Sequence, residues 1–158
     1  MSILKFLMLL SLVVWLGGVI FFGAVLAPTV FSVLPTRHLA GSVVSPSLNR
    51  LHWMGLISGV VFLVSSLIYT RVTTGSLHVF AARHVLIVVM LLLTLTSQFA
   101  ITPKMATLRA SMGEIDNVSP TDPARLQFNS LHIWSTRLEM GVLLSGLVVV
   151  YLTATQLK

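Results

Sequence analysis

The residues of this sequence that are best suited to chemistry are polar and ionisable groups that interrupt long apolar stretches. Glu139 lies well inside the last of these stretches, and it follows His132, Ser135 and Thr136 at helical spacing. Residues three, four and seven positions apart share one face of a helix, so these four form a polar stripe. Ionisable groups are costly inside a membrane and mark functional positions there. The stripe predicts either a path for protons or ions or a polar seam that joins helices, and we count Arg37 with this seam.

Two histidines provide a second candidate site. His52 and His132 each lie near the same end of their apolar stretch, the second and the fourth along the chain. In an up-and-down bundle those helices are diagonal neighbours, and adjacent axes about 8–10 Å apart put the diagonal at about 11–14 Å. This span suits a haem b held between two axial imidazoles better than it suits one small ion. The alternative is two histidines at the level of the lipid headgroups, bonded to water or lipid.

A transition metal is the other cofactor that these histidines suggest. His38, in the loop before the second stretch, would join His52 and His132 in a three-histidine metal site, although no spacing requires this. Seven methionines suit Cu(I), but methionine more often fills gaps in an apolar core. The sequence therefore predicts haem b first, a transition metal second, and no cofactor as the remaining alternative.

The composition places these residues in a membrane. Of 158 residues, 56% are hydrophobic and 9% are charged, against roughly a quarter charged in an average soluble domain. The mean hydropathy is +0.97. Ten Lys or Arg outnumber four Asp or Glu, but the basic residues are scattered at helix ends, which favours contact with lipid over nucleic acid. Cysteine is absent, which excludes disulfides, thiolate metal sites and a cysteine nucleophile.

Four apolar stretches are long enough to cross a bilayer, which takes about 20 residues. We predict spans at 3–27, 51–69, 84–101 and 131–152, within a single transmembrane domain over 1–158. The patterns Ser45-Pro46 and Asp122-Pro123 predict that the second and fourth helices start before their apolar stretches. An apolar stripe over 104–115 predicts a short interfacial helix. The predicted fold class is an all-α integral membrane four-helix bundle with up-down-up-down topology.

Small residues predict where the helices approach closely. Gly55 and Gly59 form a small-xxx-small step in the second helix. Trp15 lies in mid-span, where it needs either a partner for its indole N–H or a neighbouring helix that covers it. The loop after the second helix contains Thr73-Thr74-Gly75-Ser76, which predicts a short turn, and places His78 and His84 at the opposite end of the bundle from His52.

Several short motifs resemble the family of transmembrane protein 205, a four-helix domain that also occurs in bacteria. They are Trp15-Leu16-Gly17-Gly18, Leu34-Pro35-Thr36-Arg37-His38 followed by Gly41, Thr102-Pro103-Lys104, and Phe128 with His132 and Ser135. The resemblance covers nearly the whole chain. Its motif positions are matched by Arg37, His38, His52, His132 and Ser135, whereas Glu139 is not part of the pattern.

This resemblance implies a four-helix membrane protein, but it implies little about biochemical activity. Eukaryotic members are linked to tolerance of metal-containing drugs, which implies metal handling or trafficking. Copper-resistance D-like proteins and HemJ-type porphyrin enzymes, membrane proteins of similar size, use histidines with copper or haem. That last comparison is an analogy of fold, not of site.

The motifs of common enzyme classes are absent, so we expect a non-enzymatic membrane protein. The sequence has no glycine-rich phosphate loop, no GxSxG elbow and no HExxH pair. Three hypotheses follow: a haem or metal protein with its site at His52 and His132, a small transport module for ions, protons or solutes, and a structural or assembly protein. The expected setting is a lipid bilayer, as a multi-pass protein of the bacterial inner membrane, with a homo-oligomer or a membrane redox partner and no nucleic acid.

Overall fold

Four long helices make up most of the protein. A computed structural model describes residues 1–75 and 79–156. The helices are α1 (Ser2–Val33), α2 (Arg37–Thr74), α3 (Ala82–Met112) and α4 (Pro123–Gln156), and a 3₁₀ turn, Ile115–Asn117, lies between α3 and α4. Each long helix has the length and apolar composition needed to cross a membrane. No β-strand occurs in the described ranges, and the predicted all-α fold class is confirmed.

The helices form a bundle in which neighbours in the chain are neighbours in space. α1 packs mainly against α2, and α3 packs mainly against α4. Contacts between α2 and α3 and between α1 and α4 complete the bundle. We call the end that holds the start of α1, the α2–α3 connection and the end of α4 the A end. The opposite end, with the α1–α2 and α3–α4 connections, is the B end.

Helix α2 starts earlier than the sequence predicts. The prediction of a start at Ser45-Pro46 is wrong, because Thr36 already caps the helix and Pro46 lies inside it. Thr36 Oγ1 accepts a hydrogen bond from the backbone N–H of Leu39 at 3.2 Å, which satisfies one of the free donors of the first turn. Helix α2 therefore runs from Arg37, far beyond its apolar stretch at the B end.

Helix α4 and the end of α3 also extend beyond the apolar stretches. Helix α4 starts at Pro123, as its pattern predicts, and Asp122 Oδ1 accepts from the backbone N–H of Ala124 at 2.8 Å. The segment predicted as a separate interfacial helix at 104–115 is helical over Thr102–Met112. It continues α3 directly instead of standing apart from it.

The connection at the A end starts with a glycine in the left-handed region. Gly75 has a φ of +72°, and its backbone N–H donates to Arg71 O at 3.0 Å, which ends α2. The remainder of the predicted turn at Ser76, and His78, lie outside the described residues.

Two π-helical turns interrupt α1 and α3 just before a proline. The turn Phe22–Leu26 precedes Ala27-Pro28, and the turn Ser97–Ile101 precedes Thr102-Pro103. Proline has no backbone N–H, so the carbonyl four residues earlier lacks its helical partner and the helix rearranges there. In α3 the turn holds two successive polar side chains, Gln98 and the serine before it, in the bundle interior.

Trp15 of α1 lies in a groove of α2 made by two glycines. Its side chain is fully buried. A Cβ added at Gly55 would lie 2.8 Å from Trp15 Cδ1, and one added at Gly59 would lie 2.7 Å from Trp15 Cζ3. Helices α1 and α2 therefore approach closely at the predicted small-xxx-small step.

We expect Gly55→Ala to destabilise the protein by about 1–3 kcal/mol, because the added methyl group must displace the buried indole of Trp15. Gly17→Ala is the matched control, since no atom lies within 4 Å of a Cβ placed there. That substitution should leave stability unchanged or slightly higher, because alanine favours helix. Thermal unfolding in mild detergent measures both, and equal melting temperatures for the two variants would contradict the proposed packing.

Candidate functional site

A buried histidine in the B half of the bundle bridges three helices. His52 of α2 is 1% exposed. Its Nδ1 lies 2.8 Å from Gln98 Oε1 in α3, and its Nε2 lies 2.7 Å from Glu139 Oε1 in α4. Gln98 Nε2 in turn donates to Asn49 Oδ1, one turn before His52 in α2. We call these four residues the interior tetrad.

The hydrogen bonds of Gln98 decide which nitrogen of His52 carries a proton. The amide nitrogen of Gln98 donates to Asn49, so its amide oxygen faces His52. An amide oxygen only accepts hydrogen bonds, and therefore Nδ1 of His52 is the donor. The imidazole is thus held with Nδ1 protonated and Nε2 directed at Glu139.

One further proton belongs to the contact between His52 and Glu139. At 2.7 Å from a carboxyl oxygen, Nε2 needs a hydrogen between the two atoms. That hydrogen is either on the imidazole, as an ion pair, or on the carboxyl group, as a neutral pair. Both forms have the same total charge, and the proton belongs to the pair and not to either residue. The arrangement can therefore hold, gain or lose a proton inside the bundle.

The tetrad reaches the protein surface through its outer members. The Glu139 side chain is 18% exposed, against 1% for that of His52. Asn49 is exposed, whereas Gln98 is buried. The centre of the tetrad is closed from the surroundings. Glu139 is the group through which it can exchange a proton, because the amide group of Asn49 does not titrate.

The predicted polar stripe on α4 separates into an inner and an outer part. Glu139 and Ser135 turn toward the bundle, and Ser135 is buried. His132 and Thr136 are exposed. The exposed pair borders a shallow surface depression whose lining is His132, Ile133, Thr136, Arg137 and Met140. The four residues therefore do not form one continuous inward seam.

His52 and His132 do not meet at one site. His132 lies seven positions before Glu139 on α4, which at 1.5 Å per residue is about 10 Å toward the B end. Glu139, not His132, is level with His52, because the apolar stretches of α2 and α4 do not start at the same depth. Both nitrogens of His52 already have partners, so these residues do not fit a haem between the two imidazoles. Whether the protein binds haem stays a prediction that an absorption spectrum tests.

The three-histidine metal site is not formed either. His38 and His52 lie on the same helix, α2, 14 positions and about 21 Å apart along its axis. Two histidines on one metal ion each need a bond of about 2.0–2.1 Å. Within the described ranges no three His, Asp or Glu side chains are placed to hold a metal ion.

Arg37 also lies apart from the seam with which the sequence grouped it. It is at the B-end surface, where its backbone N–H donates to Asp116 Oδ2 at 2.9 Å. Its side chain is 72% exposed, and Arg37 Nε is 4.0 Å from Asp116 Oδ1. An exposed pair at this distance contributes little to stability, so Arg37 positions the start of α2 through its backbone.

Arg109 contacts the sequence motif around Gly41, which therefore has a structural role. Arg109 Nη1 donates to Gly41 O at 2.7 Å, and its guanidinium lies 5.6 Å from the centroid of the Phe128 ring. A Cβ at Gly41 would lie 2.9 Å from Arg109 Cζ. The motif from Arg37 to Gly41 therefore joins α2 to the ends of α3 and α4, and it does not contribute to the interior tetrad.

Gln98 and Asn49 are site residues that the sequence pattern did not indicate. The available signal for Gln98 was a polar pair, Ser97-Gln98, inside the third apolar stretch and just before Pro103. Asn49 precedes His52 by three positions, which places both on one helix face. That spacing has meaning only because α2 starts at Arg37, so that Asn49 is helical.

The fold and the site define a small multi-pass α-helical membrane protein with a buried histidine–carboxyl pair. Residues 10–114 match the family model of a domain of unknown function, DUF4149, and this chain belongs to that family. The match includes Asn49, His52 and Gln98 and ends before α4, which supplies Glu139. No curated protein and no solved structure matches the chain. Its activity must therefore be argued from the site.

Proposed function

We propose that the protein is a small transport module in which the His52–Glu139 pair binds and releases a proton as protons or a small solute cross the bilayer. The observation that carries this proposal is the 2.7 Å contact between His52 Nε2 and Glu139 Oε1, which lies inside a four-helix membrane bundle with only Glu139 partly exposed. Ionisable groups inside a membrane are costly, and paired His and carboxyl groups there are typical of proton relays.

Changing the number of protons on the pair changes the contact between α2 and α4. Loss of the shared proton leaves a neutral imidazole whose Nε2 lone pair faces a carboxylate, and two acceptors at this distance repel. Gain of a second proton produces an imidazolium that faces a neutral carboxyl group, which is a weaker acceptor than a carboxylate. Proton occupancy is therefore coupled to the separation of two helices, which is the element that a proton-driven transporter needs.

Buried hydroxyl groups support a polar route that continues from the tetrad. Thr94 Oγ1 and Ser97 Oγ, on the interior side of α3 beside Gln98, are buried and have no hydrogen-bond partner within the described part of the chain. Buried polar groups in proteins normally have a partner, and water or a solute provides it where the protein does not. These hydroxyls favour a polar species next to the tetrad.

An apolar layer separates this polar region from the A end. Phe62, Ile87 and Met90 are each fully buried, at 0% exposure, and they belong to the hydrophobic core. A charged or hydrated species does not cross such a layer while it stays closed. The proposed transport therefore requires a movement of helices that opens this layer.

Proton flux into proteoliposomes tests the proposed function. The vesicles contain a trapped pH indicator, and a potassium gradient with valinomycin supplies the driving force. We expect Glu139→Gln to lower the flux by roughly a hundredfold, because the amide neither gains nor loses a proton at this position. His132→Ala is the matched control on the same helix and should retain the wild-type rate, since His132 is exposed and outside the tetrad.

Two outcomes of this assay would overturn the proposal. Equal fluxes for the wild type and Glu139→Gln would remove the pair from any proton path. Flux absent from the wild type, under proton and solute gradients alike, would favour the structural hypothesis, in which the tetrad only joins the helices. In that case Glu139→Gln would change stability alone.

The membrane, the oligomeric state and the closer family of this protein are also proposals. The outer faces of the four helices are apolar and suit a lipid bilayer. We propose the bacterial inner membrane as that bilayer, and a homo-oligomer as the working form because four helices enclose little volume. The closer kinship with the transmembrane protein 205-like family is proposed on the motifs alone.

A further inference from the structure

A second buried polar cluster lies at the A end, away from the interior tetrad. Arg83 of α3 is 5% exposed. Its Nη2 donates to Thr70 Oγ1 of α2 at 2.8 Å, and its Nη1 donates to Gln156 Oε1 of α4. His84 Nε2 lies 2.7 Å from Ser66 Oγ beside it. Three helices thus converge on one guanidinium group.

No acidic side chain of the chain can neutralise Arg83. The four acidic residues of the sequence are Glu114, Asp116, Asp122 and Glu139. The first three are in the B-end connection. Glu139 is bonded to His52 and lies 17 positions before Gln156 on α4, about 25 Å away along the helix. The two side chains that Arg83 contacts across helices, Thr70 and Gln156, are neutral.

Further positive charge surrounds this end of the bundle. Lys5 Nζ of α1 lies 5.8 Å from the centroid of the Tyr69 ring, which places it next to the turn of α2 that contains Thr70. Arg71 follows Thr70 and is exposed. The A end therefore combines a buried guanidinium with nearby cationic side chains and no acidic side chain, which is the charge pattern of a site for an anion.

We propose that the A end binds a phosphate oxyanion, with Arg83 as its principal ligand. Arg83 has no counter-ion among the described residues, and a buried charge without one is strongly unfavourable, so an external anion would stabilise the fold that holds it. The guanidinium fork matches phosphate oxygens. Its bonds to Thr70 and Gln156, and the 3.5 Å bond from Nε to Nε2 of His84, fix its orientation. The second N–H of each terminal nitrogen has no partner among the described residues and is the donor left for the anion. Basic sites between membrane helices are typical of binding to phosphate headgroups of anionic lipids. The phosphate comes from such a headgroup or from solution, and the experiment separates these sources.

The first test measures the melting temperature of the purified protein in mild detergent as phosphatidylglycerol, phosphatidylcholine or inorganic phosphate is added. We expect phosphatidylglycerol to stabilise the wild type, and Arg83→Gln to need about tenfold more of it for the same shift. Arg50→Gln, which removes an exposed cation of the same helix outside the A end, should respond like the wild type. Stabilisation by inorganic phosphate through Arg83 assigns the site to a free oxyanion, and stabilisation by the lipid alone assigns it to a headgroup. Equal responses of Arg83→Gln and the wild type would overturn the proposal.

The second test adds the missing counter-ion and does not depend on the folding of Arg83→Gln. Gln156→Glu replaces the amide group that Arg83 Nη1 contacts with a carboxylate. We expect a higher melting temperature without lipid and a loss of the response to phosphatidylglycerol. Thr155→Glu adds the same charge at the neighbouring exposed position and should retain the response. A Gln156→Glu variant that is still stabilised as strongly as the wild type would refute an oxyanion site at Arg83. Both readouts are independent of proton flux.

Discussion

His52→Phe should destabilise the protein by about 3–5 kcal/mol, the cost expected when one partner of a buried ion pair or hydrogen-bonded pair is removed. The phenyl ring fills much of the volume of the imidazole but offers no hydrogen bond. Gln98 Oε1 and Glu139 Oε1, which lie 2.8 and 2.7 Å from the ring nitrogens, would both lose their partner. Reversible unfolding in detergent measures the loss. His132→Phe is the control, and it should change stability by less than about 0.5 kcal/mol because His132 is exposed.

A double-mutant cycle shows whether this loss comes from the pair. Glu139→Leu alone leaves His52 Nε2 unpaired, whereas the double variant His52→Phe with Glu139→Leu replaces both polar groups with apolar ones. Replacing both partners is often nearly neutral. We therefore expect the double variant to be more stable than the sum of the two single losses predicts, by about 1–3 kcal/mol. Additive losses would mean that His52 and Glu139 do not interact.

Gln98→Leu has the second largest effect that we expect, because it leaves two groups without a partner. Nδ1 of His52 loses its acceptor and Asn49 Oδ1 loses its donor, at about 1–3 kcal/mol for each buried group. Asn49 is exposed and can turn to water. We therefore expect a loss of stability of about 1–3 kcal/mol, the cost of one unpaired buried group. The proton flux should also fall, since the imidazole is no longer held with Nε2 directed at Glu139.

Gln98→Glu is the conservative partner of this variant. It retains an oxygen that accepts from Nδ1 of His52, and Asn49 can turn its amide group to donate to the second carboxylate oxygen. We expect this variant to keep the orientation of the imidazole and most of the stability that Gln98→Leu loses. If both variants lose stability and flux equally, the hydrogen bond to Nδ1 does not position His52.

Local sequence patterns predict the helices of this fold better than they predict its site. Apolar stretches indicate four spans because a bilayer requires a minimum length of apolar helix. The step Gly55 to Gly59 indicates a close helix contact. The structure identifies the residue that fills this step as Trp15 of α1. Such features depend on residues near one another in the sequence.

The pairing of His52 with Glu139 depends on the relative depth of two helices, which the apolar stretches do not reveal. Both helices extend past their apolar stretches at the B end, so the ends of those stretches are a poor measure of depth. The ends of the apolar stretches therefore predict that His52 pairs with His132. Along α4, His132 lies about 10 Å from the level of Glu139. The inward direction of Gln98 depends on a π-helical turn at Ser97–Ile101, which helical periodicity does not predict.

His52 and Glu139 should hold one proton between them, and nitrogen NMR of histidine-labelled protein in lipid identifies the atoms that carry it. The His52 signals are assigned by their loss in His52→Phe. We predict that Nδ1 is protonated and donates to Gln98, and that Nε2 shares a hydrogen with the carboxyl group of Glu139. In Glu139→Gln the signal of Nε2 should shift, and the signal of Nδ1 should be unchanged. An unprotonated Nδ1 would contradict the hydrogen bond to Gln98, and an Nε2 signal that is the same with and without the Glu139 carboxyl group would show that the two residues share no proton.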